Sequence, residues 1–155
     1  MIRNRDSRRT VSVEGAVKLS EVVKEVIRLA QATREYWDTE LPKRHPDYPL
    51  VHSGEDSGPP PPQEVQLQKL LTELPEDMIY KLILIMYLGR GDFSTRDLAG
   101  HFEQMKETFA KPEWAVSQMM EKAPLADYLA QGLDELSKNR VDVDKLLPKR
   151  AKPRK

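Results

Sequence analysis

The chain has 155 residues, of which 39% are hydrophobic and 32% charged, and its formal net charge is zero. This length supports a single domain with a sizeable core. The sequence contains no cysteine, which excludes disulfides, thiolate nucleophiles and thiolate-bound metal ions.

The charges are distributed unevenly along the chain. Residues 1–10 carry a net charge of +3 and residues 149–155 one of +5, so the residues between them must sum to −8. We expect residues 1–10 and 148–155 to be disordered basic arms on either side of one helical domain, residues 11–147. Because basic arms also attract phosphates, nucleic-acid association through both ends is the alternative function.

The apolar segments bear on the compartment of the protein. The N-terminus lacks the apolar run of a secretory signal. The longest apolar stretch, residues 78–88, is far shorter than the roughly 20 residues that cross a bilayer. We therefore predict a cytoplasmic protein with no membrane partner.

The first predicted helix runs from about Val17 to Trp37, because apolar residues recur there at helical spacing on one face. Pro42 is expected to stop any continuation of this helix. Residues 38–62 show no periodicity and are rich in proline and glycine. They predict a flexible linker that ends in a polyproline spacer.

Two predicted helices follow the linker. Helix two covers about Glu64 to Glu73 and carries a leucine stripe. Helix three covers about residues 76–88, and Lys81 is its only charged residue after Asp77. A helix that is apolar on nearly every face must be surrounded, which predicts a central position in the bundle. Gly89 is expected to end this helix in a left-handed conformation.

Three further helices are predicted towards the C-terminus. Ser94 and Asp97 resemble a capping box that would start helix four. Pro112 opens helix five, which should end near Ala123, and Pro124 opens helix six.

Helix six contains a glycine, and a short turn is predicted after it. Gly132 costs about 1 kcal/mol relative to alanine inside a helix, so its presence predicts the close approach of a neighbouring backbone. Residues 141–147 are expected to form one last short turn.

No arrangement of residues indicates catalysis. His45, His52 and His101 are far apart and lack the spacing of a zinc site. A glycine-rich phosphate loop and a nucleophile elbow are both missing from the sequence. We therefore predict a non-enzymatic protein without a metal or cofactor.

The tripeptide Arg90-Gly91-Asp92 matches an integrin-binding motif. That function requires an exposed extracellular loop, whereas this chain shows no route out of the cell. We favour a tight turn in which Arg90 and Asp92 pair with each other or cap helix ends.

The adjacent residues Met119 and Met120 have two interpretations. Methionines fill irregular gaps in cores, and they also line adaptable grooves for partner helices. Under the second interpretation, apolar residues on helices one, five and six exceed what one small core hides. The candidate interaction surface then comprises Gly89, Arg90, Gly91, Asp92, Phe93, Trp114, Met119 and Met120.

Two sequence blocks carry a resemblance to a known family. The block from Leu74 to Phe93 contains Leu-Gly-Arg-Gly-Asp, and the block from Pro124 to Leu133 contains Pro-Leu-Ala-Asp-Tyr-Leu. Together with residues 11–14, they resemble a family of small bacterial proteins catalogued as a domain of unknown function. The resemblance covers about residues 11–137 and implies a bacterial cytoplasmic protein, but it assigns no functional residue.

These observations predict an all-α bundle of five to six helices around a central helix at about 76–88. We predict that it acts as a protein-interaction module whose partner is another protein or a second copy of the chain.

Overall fold

The computed structural model describes residues 18–44 and 59–146, and all regular secondary structure in these ranges is helical. The elements are α1 Leu19–Arg44, α2 Pro62–Glu73, α3 Glu76–Arg90, α4 Leu98–Thr108, α5 Pro112–Met120, α6 Leu125–Lys138 and a 3₁₀ helix Val143–Lys145. The predicted all-α bundle is confirmed. The predicted arms 1–10 and 148–155 lie outside the described residues, as does the middle of the predicted linker.

Helix α1 is longer than predicted. It continues past Trp37 to Arg44 with Pro42 inside its last turn, so the expected stop at Pro42 and the linker start at residue 38 are wrong. Proline removes one backbone N–H and crowds the preceding turn, but only two residues follow it here, which confines the loss to the helix end. Trp37 Nε1 also donates a hydrogen bond to Glu64 Oε1 at 2.7 Å, which ties this part of α1 to α2.

Helix α3 occupies the centre of the bundle, as predicted. Its five consecutive residues 82–86 are each no more than 1% exposed, so no face of the helix reaches solvent there. It packs against α4, α5 and α6. Lys81, close to the start of α3, lies 3.4 Å from Asp77 one turn earlier and so keeps its charge paired.

The end of α3 lies two residues beyond the predicted stop. Gly91, at φ +90°, holds the left-handed position, whereas Gly89 is still helical. Gly91 N–H bonds to Leu88 O and Asp92 N–H bonds to Tyr87 O, both at 3.1 Å, which is a Schellman motif. The expectation that Gly89 would end the helix is therefore wrong, because Gly89 lies inside the helix where α6 crosses it closely.

Two glycines allow α3 and α6 to cross at backbone contact. A Cβ at Gly89 would overlap Tyr128 O, and a Cβ at Gly132 would overlap Ile85 O. Gly89 and Gly132 also face each other directly, since a Cβ on the first would lie 2.7 Å from the backbone nitrogen of the second. The predicted close approach at Gly132 is confirmed, and its partner is the central helix.

Helix α4 begins differently from the predicted capping box. Asp97 itself is the N-cap, in a left-handed conformation (φ 51°), and its carboxylate accepts a hydrogen bond from Gly100 N–H at 3.2 Å. Ser94 Oγ instead accepts one from Arg96 N–H in the preceding turn. Aspartate tolerates this conformation and reaches the third helical N–H, so it outcompetes the serine as a cap.

The last described segment closes the bundle against α1. The predicted turn over residues 141–147 is the 3₁₀ helix, and Leu146 after it is buried. Asp144 accepts hydrogen bonds from Ser20 N–H at 2.8 Å and from Ser20 Oγ at 2.9 Å, so it caps the N-terminus of α1 from 124 residues away. A carboxylate in this place also complements the positive end of the helix.

We expect Asp144→Ala to lower the free energy of unfolding at pH 7 by about 1 kcal/mol, the usual cost of losing a helix cap. The Ser20 N–H hydrogen bond holds the pKa of Asp144 below its ordinary value. A lowered pKa means that the cap stabilises the protein above the ordinary pKa of about 4, and that this contribution is lost as the pH falls through the folded-state pKa. Denaturant unfolding at several pH values measures the effect.

Asp134→Ala is the control for this prediction, because Asp134 forms only an exposed ion pair with Lys138 at 3.5 Å and should cost under about 0.5 kcal/mol. A stability difference between Asp144→Ala and the wild type that stays constant down to pH 2 would contradict the capping role.

Candidate interaction surface

The side chains of the turn at residues 89–93 make contacts within the chain. Arg90 Nε lies 3.4 Å from Asp92 Oδ2, as expected, and the Arg90 guanidinium lies 5.2 Å from the centre of the Tyr87 ring. Phe93 stacks on His101 with ring centres 4.0 Å apart. These contacts give every side chain of the turn a structural role within the chain.

The candidate residues of α5 fall into two environments. Met119 is fully buried in the core, and Met120 is half-buried. Trp114, in contrast, is 52% exposed, although tryptophan is among the largest apolar side chains. The core interpretation therefore describes Met119, whereas Trp114 remains available on the surface.

A second exposed apolar residue lies on the neighbouring helix. Val65 of α2 is 53% exposed, and with Trp114 it makes up the large hydrophobic residues that are exposed in the described ranges. Sequence reasoning did not single out Val65. The signal was present, since Val65 lies outside the α2 leucine stripe and has no place in the core.

A groove of about 490 Å³ runs between α2 and α5. We call it the α2–α5 groove; its lining residues are Gln68, Thr72, Leu74, Glu76, Ile79, Pro112, Glu113, Val116 and Ser117. Ile79 and Val116 are buried and make an apolar floor, while the polar members are exposed. Val65 and Trp114 each precede a lining residue, Gln68 and Ser117 respectively, by one helical turn.

The two acidic residues of the groove converge on a buried phenol. Tyr80 is 2% exposed, and its hydroxyl donates a hydrogen bond to Phe109 O. Burial raises the pKa of Tyr80, and the nearby charges of Glu76 and Glu113 raise it further. The phenol therefore stays protonated as a structural donor, and the groove has a negative potential.

A second groove, of about 440 Å³, lies at the other end of α2. It brings Trp37 and Arg34 of α1 close to Glu64 of α2 and to Met120. Two of its polar side chains are paired: Trp37 Nε1 with Glu64, and Arg34 Nη1 with Asp127 Oδ2 at 3.1 Å. The α1 wall of the second groove is therefore held by contacts within the chain, whereas Glu121 and Lys122 line its other side.

The two grooves do not contain the whole predicted surface. No residue of the turn 89–93 lines either of them. Of the eight candidate residues, Met119 and Met120 line the second groove. Trp114 lines neither groove, although its chain neighbour Glu113 lines the α2–α5 groove. The structure thus separates the turn from the α5 residues that the sequence analysis grouped with it.

The ionisable residues of residues 18–44 and 59–146 do not gather into a metal-binding group of three histidine, aspartate or glutamate side chains. His101 is half-buried and stacks on Phe93, while His45 and His52 lie outside these ranges. Within the same ranges, no helix has both the length and the apolar character needed to cross a bilayer.

Comparison with known proteins finds one family model that matches the part of the chain forming the α2–α5 groove. Residues 64–137 match the family model described as "Protein of unknown function (DUF3775)". This family model spans 74 of the 155 residues of the chain. The expected resemblance to a domain of unknown function is confirmed for this range. Neither the curated proteins nor the solved structures contain a match to the chain.

The two grooves differ in how much of their lining lies within the DUF3775 match. Every residue that lines the α2–α5 groove lies between 64 and 137, as do Val65 and Trp114. The second groove takes one wall from α1, which lies outside the match. All lining residues of the α2–α5 groove thus lie within the part of the chain that matches the DUF3775 model.

Proposed function

We propose that this protein is a non-enzymatic protein-interaction module, and that it binds its partner through the α2–α5 surface. By this name we mean the α2–α5 groove together with Val65 and Trp114. The observation that carries the proposal is the exposure of these two residues on the two helices whose groove has an apolar floor. Large apolar side chains are unfavourable in water, and exposed apolar surface with a polar rim marks interaction sites.

The composition of the α2–α5 surface supports a protein partner. Tryptophan is enriched among the residues that dominate binding energy, and a central aromatic with a polar rim is the usual anatomy of an interface. Here Trp114, next to the lining residue Glu113 in the chain, is the exposed aromatic, and Gln68, Thr72 and Ser117 supply polar groups around the groove.

As part of the proposal, we assign the module to the bacterial cytoplasm. Its resemblance to a bacterial family supports this location. The absence of cysteine is compatible with a reducing compartment, where proteins do without disulfides. A second copy of the chain is among the partners that the proposal allows.

Replacing both exposed residues tests the proposal. The double variant Val65→Ser/Trp114→Ser should remain folded, because both side chains are more than half exposed. Its affinity for the partner should fall at least roughly 30-fold, which corresponds to a loss of about 2 kcal/mol for an anchoring tryptophan. The measurement is quantitative affinity capture from a lysate of the host, with light scattering to detect self-association.

A matched control replaces two exposed polar residues of α4, Gln104→Ser and Glu107→Ser, and should capture the same proteins as the wild type. Equal capture by the wild type and the Val65/Trp114 double variant would contradict the proposal. So would a monomeric wild-type protein that captures nothing.

A further inference from the structure

We infer that the α2–α5 groove binds the chain's own C-terminal basic segment, residues 149–155, when no partner is present. This inference rests on the proposed function, since it assigns the first occupant of the same surface. A partner must then displace the segment in order to bind.

The charge of the α2–α5 groove selects a basic occupant. Its two ionisable lining residues, Glu76 and Glu113, are both acidic and exposed. Neither forms an ion pair with another residue of the described ranges, whereas most other exposed carboxylates of the neighbouring helices have a lysine within reach, such as Glu73 with Lys69 at 3.9 Å. Two uncompensated carboxylates beside an apolar floor favour Lys and Arg side chains over a neutral peptide.

The aromatic beside the groove adds a second means of holding a cation. Lys111 Nζ already lies 5.7 Å from the centre of the Trp114 ring, the geometry of a cation–π interaction. More than half of the Trp114 surface is still exposed. An arginine of the incoming segment has room to stack there while a neighbouring lysine approaches Glu113.

The C-terminal segment has the matching chemistry. Residues 149–155 contain five basic residues and no acidic one, and Pro148 and Pro153 bias the backbone towards an extended conformation. Extended proline-containing segments dock into grooves that have an aromatic side chain at the edge. The remainder of the chain, between the two basic ends, is strongly acidic, so the attraction is electrostatically favourable overall.

The C-terminal segment, residues 149–155, starts at the end of the bundle where the α2–α5 groove lies. Trp37 contacts Glu64, and Ala30 lines the second groove together with Leu67, so α1 and α2 run antiparallel. The C-terminal end of α2, where Thr72 and Leu74 line the α2–α5 groove, therefore points towards the N-terminal end of α1.

The described chain ends beside that same N-terminus. Leu146 is buried next to the Asp144–Ser20 contact, and the nine residues 147–155 span up to about 30 Å when extended. The N-terminal basic residues are also joined to this end of α1, but the nearest of their arginines, Arg9, is nine residues before Lys18. The shorter C-terminal connection gives the higher effective concentration at the groove.

Amide NMR spectra of the full-length chain test the inference directly. One variant replaces all five basic residues of 149–155 with glutamine, and a matched variant replaces the four arginines of residues 1–10. The first should shift the resonances of Thr72, Glu113, Ser117 and the Trp114 indole N–H, while the second leaves them in place. A peptide of residues 147–155, added to the first variant, should restore the wild-type positions in a saturable manner.

Charge variants of the body, made in the full-length chain with the neutralised C-terminal segment, show where the peptide binds. Glu76→Gln/Glu113→Gln should weaken the affinity for the peptide at least tenfold. The matched pair Glu103→Gln/Glu107→Gln, on the exposed face of α4, removes the same charge and should leave the affinity unchanged.

Each of the following results would overturn the inference: groove resonances that do not respond to the C-terminal variant, equal shifts from the N-terminal variant, and equal peptide binding by the two carboxylate pairs. Wild-type groove resonances that move on dilution, with a dimer in light scattering, would assign the groove to a second copy and also overturn it. These measurements need no partner. Their failure therefore rejects the C-terminal occupant, whereas failed partner capture rejects the proposed function.

Discussion

Gly132→Ala is expected to lower the free energy of unfolding by about 3 kcal/mol, although alanine is the better helix former. In a solvent-exposed helix the same change would raise stability by about 1 kcal/mol. Here the added methyl group overlaps Ile85 O and lies 2.6 Å from Ile85 Cγ2. A backbone carbonyl cannot rotate away, so α6 must separate from α3 and lose the contact between them.

Gly89→Ala is also expected to lower the free energy of unfolding, because its methyl group would overlap Tyr128 O from the other side of the crossing. The two substitutions should not add, since either one alone forces the two helices apart. Thermal and denaturant unfolding measure both effects, with an expected fall in Tm of roughly 10 °C for each.

Ala130→Gly is the matched control for the glycine crossing, because Ala130 lies on the exposed face of the same helix. It should cost only about 1 kcal/mol. If Gly132→Ala instead stabilised the protein by a similar amount, the close contact between α3 and α6 would be contradicted.

Met119→Ala is expected to destabilise the protein by about 3 kcal/mol, because Met119 is fully buried and its truncation leaves a cavity in the core. The neighbouring Met120 is half-buried beside the second groove, and Met120→Ala should cost less than about 1 kcal/mol. The two residues are adjacent and chemically identical, so the difference between their stability losses measures the effect of burial alone.

Denaturant unfolding of the two methionine variants separates the two interpretations of these residues. A large loss for Met119→Ala with unchanged partner capture fits a core role. Small and equal losses of unfolding free energy for both variants would contradict the burial of Met119. Met119 would then again be a candidate for the interaction surface.

The sequence supported the fold best where one physical effect dominates. The apolar stretch at 78–88 can lie only inside a bundle, and α3 does so. Gly132 inside an otherwise good helix required a reason, and the nearby backbone of α3 provides it. For α3 the alternative exposes many apolar side chains to water and costs several kcal/mol, so the pattern was decisive. Gly132 costs only about 1 kcal/mol in a helix, so it indicated a close neighbour without identifying α3.

Helix boundaries were less predictable, because their alternatives differ by about 1 kcal/mol or less. Gly89 and Gly91 are equally able to adopt a left-handed conformation, and only the position of α6 reserves Gly89 for the crossing. Ser94 and Asp97 are both good caps, and the tertiary fold selects Asp97.

The candidate surface was only partly predictable for a related reason. Spacing along α5 identifies its apolar residues, but not which of them α2 and α3 cover. Trp114 and Met119 therefore looked equivalent in the sequence, while one is exposed and the other buried. The α2–α5 groove depends on how two helices from different parts of the chain pack, and no local pattern encodes that.

Site-specific photo-crosslinking in living cells tests the binding role of the α2–α5 surface most directly. A photoreactive phenylalanine derivative replaces Trp114 in one strain and the exposed Gln104 of α4 in another. We predict a discrete crosslinked protein adduct from position 114 and none from position 104. The same adducts from both positions, or no adduct from position 114, would contradict the binding role of this surface.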